Sequence, residues 1–164
     1  MIIAMDTGER MTVRVTRRFA AAPQRVFDAW LDAKTAGKWL FATASGRSEC
    51  VEIDARAGGW FYIVERRDSE TVDHVGEYIE LVRPRRLVFT LFAEKYSLQF
   101  ERVTVVLAPL AAGCELELTQ ETRSELAPRV RRCWIEMLDR LAAILEAGGR
   151  DVAAPPEVRV AGRR

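Results

Sequence analysis

The sequence predicts an α+β domain in which a curved antiparallel sheet of about seven strands wraps around a long C-terminal helix, with two short helices after the first strand. Between residues 48 and 122, apolar and polar side chains alternate in several short runs separated by turn residues, which indicates antiparallel strands. Between residues 130 and 145, apolar side chains recur three and four positions apart, which indicates an amphipathic helix. Such a helix buries its apolar side against the concave face of the sheet.

A strand and a helical insert form the N-terminal part of the domain. Val13 and Val15 alternate with polar residues in "TVRVTRRF", as in a half-buried strand. The next stretch, "AAAPQRVFDAWLD", has apolar residues at helical spacing, and Pro23 suits a first helical turn because that position needs no backbone N–H. A second short helix is expected over residues 35–40.

Six more strands are expected between residues 48 and 122. Gly58 and Gly59 suit a hairpin turn or bulge between the second and third strands, because glycine tolerates positive φ. Pro84 marks the turn after the fourth strand, since proline cannot donate a hydrogen bond to a strand ladder. Residues 111–113, "AAG", form the turn before the last strand.

The long helix should start near Ser124 and Pro128 and end at Gly148 and Gly149. After it, two prolines and the loss of periodicity indicate a flexible tail. No internal repeat or linker divides the sequence. The expected organisation is an N-terminal extension, one domain and a flexible C-terminal tail, at residues 1–11, 12–147 and 148–164 respectively.

Composition argues against several classes of function. The net charge is +1 over 164 residues and the basic residues are scattered, which argues against a nucleic-acid partner. No apolar run has the length of a membrane span, and no secretory core is found. With three widely spaced cysteines, the sequence favours a cytoplasmic protein with free thiols and no membrane insertion.

The sequence offers few residues for catalysis or metal binding. His74 is the only histidine, which excludes a site with several histidine ligands. The cysteines lack the paired spacing of a zinc site, and no G-x-S-x-G motif is present. Glu115 and Glu117 alternate with leucines, so both carboxylates should face solvent. We therefore expect no metal, no cofactor and no dedicated catalytic residue.

Four stretches are characteristic in combination: "RRFAAAPQRVFDAWLDAKTAGKWL", "VEIDARAGGWF", "VGEYIELVRPRRLVFT" and "CWIEMLDRLAAIL". Over residues 12–147 the chain resembles the SRPBCC (START-like) superfamily, and within it the branch homologous to the C-terminal domain of the activator of heat-shock protein 90 ATPase. The resemblance implies a helix-grip fold with a space between sheet and helix. It leaves the function open, because the superfamily includes lipid carriers, polyketide cyclases and plant hormone binders.

The candidate site is the space between the sheet and the C-terminal helix. Alternation places Phe61 and Ile63 on the concave face, and the resemblance supports this because relatives keep both positions apolar. The predicted cavity residues are Trp39, Phe61, Ile63, His74, Tyr78, Phe89, Leu91, Tyr96, Val105, Leu118, Gln120, Trp134, Met137 and Leu141. An alternative is that these side chains simply fill the core, because protein interiors are densely packed.

Three functions are compatible with this pattern. The first is non-catalytic binding of a small hydrophobic molecule, such as a lipid, in the cavity. The second is a protein-interaction module, chaperone-related or self-associating as a homodimer, because Trp60 and Tyr62 point to the face that should be polar. The third is a cyclase- or hydrolase-like enzyme in which Tyr78, His74 or Glu121 polarises a bound carbonyl compound.

Overall fold

The computed structural model describes residues 8–42 and 47–153, and it confirms the predicted fold. The strands are β1 Arg10–Phe19, β2 Arg47–Ile53, β3 Trp60–Arg66, β4 Thr71–Val82, β5 Arg86–Leu91, β6 Glu101–Leu110 and β7 Gly113–Arg123. The helices are α1 Pro23–Leu31, α2 Ala33–Ala36 and α3 Ala127–Ala153, the last preceded by a 3₁₀ turn at Ser124–Leu126. One antiparallel sheet that holds a long C-terminal helix is the helix-grip arrangement.

The order of the strands explains why the helical insert covers the sheet. In the order β1-β7-β6-β5-β4-β3-β2, the strands β1 and β2 lie at opposite edges, and all neighbouring strands are antiparallel. The chain between β1 and β2 must therefore cross the whole sheet, and this crossing carries α1 and α2. Because α1 contacts both β6 and α3, it lies on the face of the sheet that α3 covers.

The core lies between this face of the sheet, α1 and α3. Three buried indole rings pack at its centre and form a tryptophan cluster of Trp30, Trp39 and Trp134. The ring centroid of Trp30 is 4.7 Å from that of Trp39 and 5.8 Å from that of Trp134. Trp30 also lies 6.1 Å from Phe89 of β5. The insert therefore fills the middle of the space that α3 and the sheet enclose.

The second helix begins and ends earlier than the sequence predicts. It spans Ala33–Ala36 rather than residues 35–40, because the Asp32 side chain caps it by accepting a hydrogen bond from the Thr35 backbone N–H at 2.9 Å. A turn follows and leads to Phe41, whose φ of 57° lies in the left-handed region that few residues other than glycine adopt. The predicted helix over residues 35–40 is therefore wrong over residues 37–40, which form a turn.

Helix α3 continues beyond its predicted end and reaches Ala153. Glycine lowers helix propensity, but it ends a helix mainly by adopting a left-handed conformation, and neither Gly148 nor Gly149 does so. Most of the predicted N-terminal extension and C-terminal tail, residues 1–7 and 154–164, lies outside the described residues. In the described part of the chain, no helix combines the length and the apolar character needed to cross a membrane.

Candidate functional site

A cavity of about 120 Å³ lies between α3 and the sheet, next to the tryptophan cluster. Engineered cavities of roughly 150 Å³ hold a benzene ring, so this volume suits a compound with a single ring. Its apolar lining consists of Phe41, Ala42, Leu91, Ala93, Tyr96, Leu126, Val130, Cys133, Trp134 and Met137. Its polar lining consists of Glu65, Arg67, His74, Ser97, Gln99, Glu101, Gln120, Arg129 and Glu136.

The structure places the predicted cavity residues in two groups. Six of them line the cavity, namely His74, Leu91, Tyr96, Gln120, Trp134 and Met137. The other eight lie in the packed core, namely Trp39, Phe61, Ile63, Tyr78, Phe89, Val105, Leu118 and Leu141. The reason is that Trp30 occupies the middle of the concave face. The cavity lies at one end of the sheet, where β3, β5 and β7 finish and β4 and β6 begin.

Phe41 forms the wall of the cavity beside β4. Its ring stacks on the imidazole of His74, with centroids 4.5 Å apart and an angle of 3° between the planes. The Phe41 backbone N–H donates to Sδ of Met137 at 3.0 Å. The Arg140 guanidinium donates to the carbonyl of Ala42. Two residues of α3 thus hold the segment that follows α2 in position.

A buried carboxylate at the start of β6 faces the same space. Glu101 is 6% exposed, and it accepts a hydrogen bond from Gln120 Nε2 at 2.7 Å and another from Thr122 Oγ1 at 3.0 Å. Trp134 Nε1–H donates to Gln120 Oε1 at 2.6 Å, which fixes the orientation of the Gln120 amide. Both donors to Glu101 are neutral, and no lysine or arginine of the described residues forms an ion pair with it.

The strands β3 and β4 contribute a second polar cluster. The Arg67 guanidinium donates to Glu65 Oε1 at 3.0 Å, and this ion pair is largely buried. Burial of His74 lowers its pKa to about 4, although the nearby Glu65 carboxylate and a hydrogen bond to the Ile63 backbone act in the opposite direction. The buried Nδ1 atom of His74 has no hydrogen-bond partner within residues 8–42 and 47–153. A neutral imidazole with unused hydrogen-bonding capacity therefore lines the cavity.

Charged side chains of both signs surround the mouth of the cavity. Two guanidinium groups make cation–π contacts with the ring of Tyr96. The Arg129 group lies 4.1 Å from the ring centroid, and the Arg67 group lies 5.7 Å from it. Arg129 and Glu136 are both exposed on α3. The mouth is thus polar, whereas most of the wall behind it is apolar.

The sequence interpretation missed two inward-facing glutamates, although the alternation of the strands could have identified them. Glu65 follows Phe61 and Ile63 at alternate positions of β3, so it lies on the same concave face. Glu101 likewise precedes Val103 by two positions on β6. A glutamate at the next inward-facing position of a strand, after apolar residues at the others, indicates a polar site within the core.

The groups that the enzyme hypothesis requires do not converge. Of the three candidate residues, only His74 lines the cavity, because Tyr78 lies in the core and Glu121 is exposed. Burial also raises the pKa of the Tyr78 hydroxyl. With its lowered pKa, His74 is a weak base at neutral pH. Glu115 and Glu117 face outward, with 41% and 43% of their side chains exposed. Within the described part of the chain, no group of three or more His, Cys, Asp or Glu residues is arranged to hold a metal ion.

The outer face of the sheet carries exposed aromatic side chains. Trp60 is 48% exposed and Phe100 is 59% exposed, and both line one shallow depression. Tyr62 lines it too, but its hydroxyl donates to Asp73 Oδ2 at 3.1 Å. We call Trp60 and Phe100 the outer aromatic pair.

Comparisons with known proteins agree with this architecture. A family model described as Activator of Hsp90 ATPase homolog 1-like protein matches residues 20–146. A protein from Chromobacterium violaceum is 30% identical, with a TM-score of 0.75 over 82% of this chain and 96% of that one. An AHSA1-like protein from Aeromonas hydrophila is 20% identical, with a TM-score of 0.73 over 85% and 94%. A protein of unknown function from Staphylococcus aureus is 16% identical, with a TM-score of 0.78 over 88% and 98%.

The matched segment contains the parts of the chain that build the cavity. No curated protein matches the chain. The family match, however, begins directly after β1 and ends within α3, so it includes the helical insert, the strands β2 to β7 and most of the long helix. The chain therefore belongs to the family of Activator of Hsp90 ATPase homolog 1-like proteins, as its resemblance to the SRPBCC superfamily predicted.

Proposed function

We propose that the protein binds a small, mainly apolar molecule in the cavity between α3 and the sheet and does not transform it. The observation that carries the proposal is an apolar cavity of about 120 Å³ that also contains the unpartnered Nδ1 of His74. Burial of the ligand would contribute roughly 25 cal/mol per Å² of apolar surface. One or two hydrogen bonds would supply selectivity. The volume favours a compound with a single ring over a long acyl chain.

Cys133 allows a direct test, because it is half-buried and lines the cavity. Cys50 is half-buried on β2, outside the cavity, and serves as an internal control. We expect 2-phenylethanol, a neutral single-ring probe, to slow alkylation of Cys133 by iodoacetamide in a saturable manner, as measured by peptide mass spectrometry. The rate at Cys50 should stay unchanged. Unprotected alkylation of Cys133 at every probe concentration would contradict the proposal.

Two variants on α3 test the location of the site. Cys133→Trp should fill the cavity and abolish calorimetric binding of 2-phenylethanol. Ile135→Trp adds the same ring where the side chain is 41% exposed, and it should bind as the parent chain does. Circular dichroism checks that both variants fold. Equal affinity in the two variants would show that the probe binds elsewhere.

A second candidate function is self-association through the outer aromatic pair. The observation that favours it is the exposure of Trp60 and Phe100 beside one depression on a sheet face. Light scattering should then give a mass above 18.6 kDa that rises with protein concentration. Trp60→Ala should return it to the monomer value, whereas Ile79→Ala, which truncates another exposed apolar residue, should not. A monomer at all concentrations would exclude this candidate.

A further inference from the structure

The polar lining of the cavity contains a buried carboxylate, that of Glu101, for which the described residues provide no ion-pair partner. Glu101 is buried and its two hydrogen-bond donors, Gln120 and Thr122, are neutral. A carboxylate in such surroundings is costly unless a cation accompanies it, because neutral donors replace only part of its hydration. Among the described residues, the cavity therefore lacks a cation that would compensate Glu101.

The other charged groups of the lining do not supply this cation. Arg67 is bound to Glu65, so the two charges compensate each other. Arg129 is exposed at the mouth, over the ring of Tyr96. His74 is uncharged at neutral pH, because burial lowers its pKa to about 4.

The carboxylate is also held in a fixed orientation. The Gln120 amide has one orientation, because it accepts from Trp134 and donates to Glu101. Thr122 donates to the second oxygen of the Glu101 carboxylate and fixes it. A carboxylate oxygen accepts about two hydrogen bonds, so each oxygen can accept one more. The walls beside it are aromatic, and aromatic rings favour a ligand that combines a ring with a positive charge.

We propose that the cavity selects a small aromatic amine, whose protonated nitrogen pairs with Glu101 while its ring packs against the apolar lining of the cavity. This inference rests on the proposed function and names the chemical class of its ligand. The unpartnered imidazole of His74 offers the same ligand an additional hydrogen bond.

Three probes with the same ring separate charge from apolar burial. These are 2-phenylethylamine, 2-phenylethanol and phenylacetate, which are positive, neutral and negative at pH 7. We expect calorimetry to show that the amine binds about tenfold more tightly than the alcohol, because an ion pair is added to the same ring burial. The anion should bind most weakly. An alcohol that binds as tightly as the amine, or an anion that binds best, overturns this inference and leaves the proposed function standing. If none of the three probes binds, both this inference and the proposed function are overturned.

Two substitutions test the role of the carboxylate. Glu101→Gln keeps the shape and can still accept from Gln120 and donate to Thr122, so it should bind amine and alcohol within about twofold of each other. Glu146→Gln removes an exposed charge of α3 outside the cavity and should retain the preference for the amine. An undiminished preference in Glu101→Gln overturns the inference.

Thermal unfolding without ligand gives a second readout. The melting temperature of Glu101→Gln should equal or exceed that of the parent chain, because the uncompensated charge is gone. That of Glu146→Gln should not change. A lower melting temperature for Glu101→Gln would show that the folded protein already compensates the charge, and this result would also overturn the inference.

Discussion

His74 couples the stability of the fold to pH through a single side chain. The ring is 6% exposed, it stacks on Phe41, and the charged groups around it are Glu65, Arg67 and Asp73. Its pKa in the folded protein is about 4, compared with 6.5 for an unperturbed histidine. Protonation therefore favours the unfolded chain. The stability that the neutral ring contributes is complete above pH 6.5 and is lost as the pH falls toward 4.

The variant His74→Gln should be less sensitive to acid than the parent chain. The substitution removes a pH-dependent contribution on the order of 3 kcal/mol between pH 6.5 and 4. Urea unfolding at a series of pH values measures it, and no second histidine complicates the curve. Parallel pH dependences of the two proteins would show that the imidazole is not buried in its neutral form.

Gln120 connects two buried polar groups, so its loss should be costly. The variant Gln120→Leu leaves the Trp134 N–H and one Glu101 oxygen without their partner. Each buried group without a partner costs about 1–3 kcal/mol, so we expect a free energy of unfolding lower by about 2 kcal/mol or more. Gln99→Leu is the control, because Gln99 is exposed and should change stability by less than about 0.5 kcal/mol. Similar values for the two variants would contradict the hydrogen-bond network.

The sequence predicts single residues well where a strand decides their direction. Alternation on β4 and β7 puts His74 and Gln120 on the concave face. The same rule identifies Glu65, two positions after Ile63 on β3, and Glu101, two positions before Val103 on β6. Residues in loops are different. The left-handed conformation of Phe41 depends on contacts with α3, which is about a hundred residues away in sequence, and no local pattern indicates it.

At the scale of elements, two hairpins depend on glycines with positive φ. Gly58 connects β2 to β3 with a φ of 84°, as the paired glycines predicted, and Gly113 begins β7 with a φ of 122°. The surroundings of the two glycines differ. A Cβ atom at Gly113 would lie 2.0 Å from the Phe19 carbonyl oxygen, whereas a Cβ atom at Gly58 would have no neighbour within 4 Å.

This difference predicts unequal effects of alanine at the two turns. Gly58→Ala introduces only backbone strain and should lower the free energy of unfolding by about 1 kcal/mol. Gly113→Ala adds a steric clash with the backbone of β1, and we expect a loss of about 3 kcal/mol or more. Chemical denaturation of the two variants measures both values. A loss at Gly58 as large as that at Gly113 would contradict the geometry of the β6–β7 hairpin.

The helical insert marks the limit of what the sequence predicts for elements. Its helical spacing identifies α1, but the position of Trp30 over the centre of the sheet follows from the strand order. Because β1 and β2 lie at opposite edges, α1 must cross the concave face and fill it. For this reason Phe61 and Leu118, predicted as cavity residues, are core residues in the structure.

At the scale of the whole molecule, the curved sheet and α3 enclose an apolar space. The helical insert with α1 and α2 fills the centre of this space. The cavity lies at the end of the sheet that carries the buried groups Glu65, His74, Glu101 and Gln120. Chains that are 16% to 30% identical to this one share its architecture, so the fold alone does not specify a ligand. In our account the ligand is selected by the polar groups that line the cavity.

The most direct test of this account maps the probe onto the protein by backbone amide chemical shifts. On titration with 2-phenylethanol, we predict that the largest shifts occur near His74, Gln120 and Cys133, at the open end of the sheet and on the facing side of α3. Shifts confined to the surroundings of Trp60 and Phe100 on the outer face, or no shifts at saturating probe concentration, would contradict a binding site in the cavity.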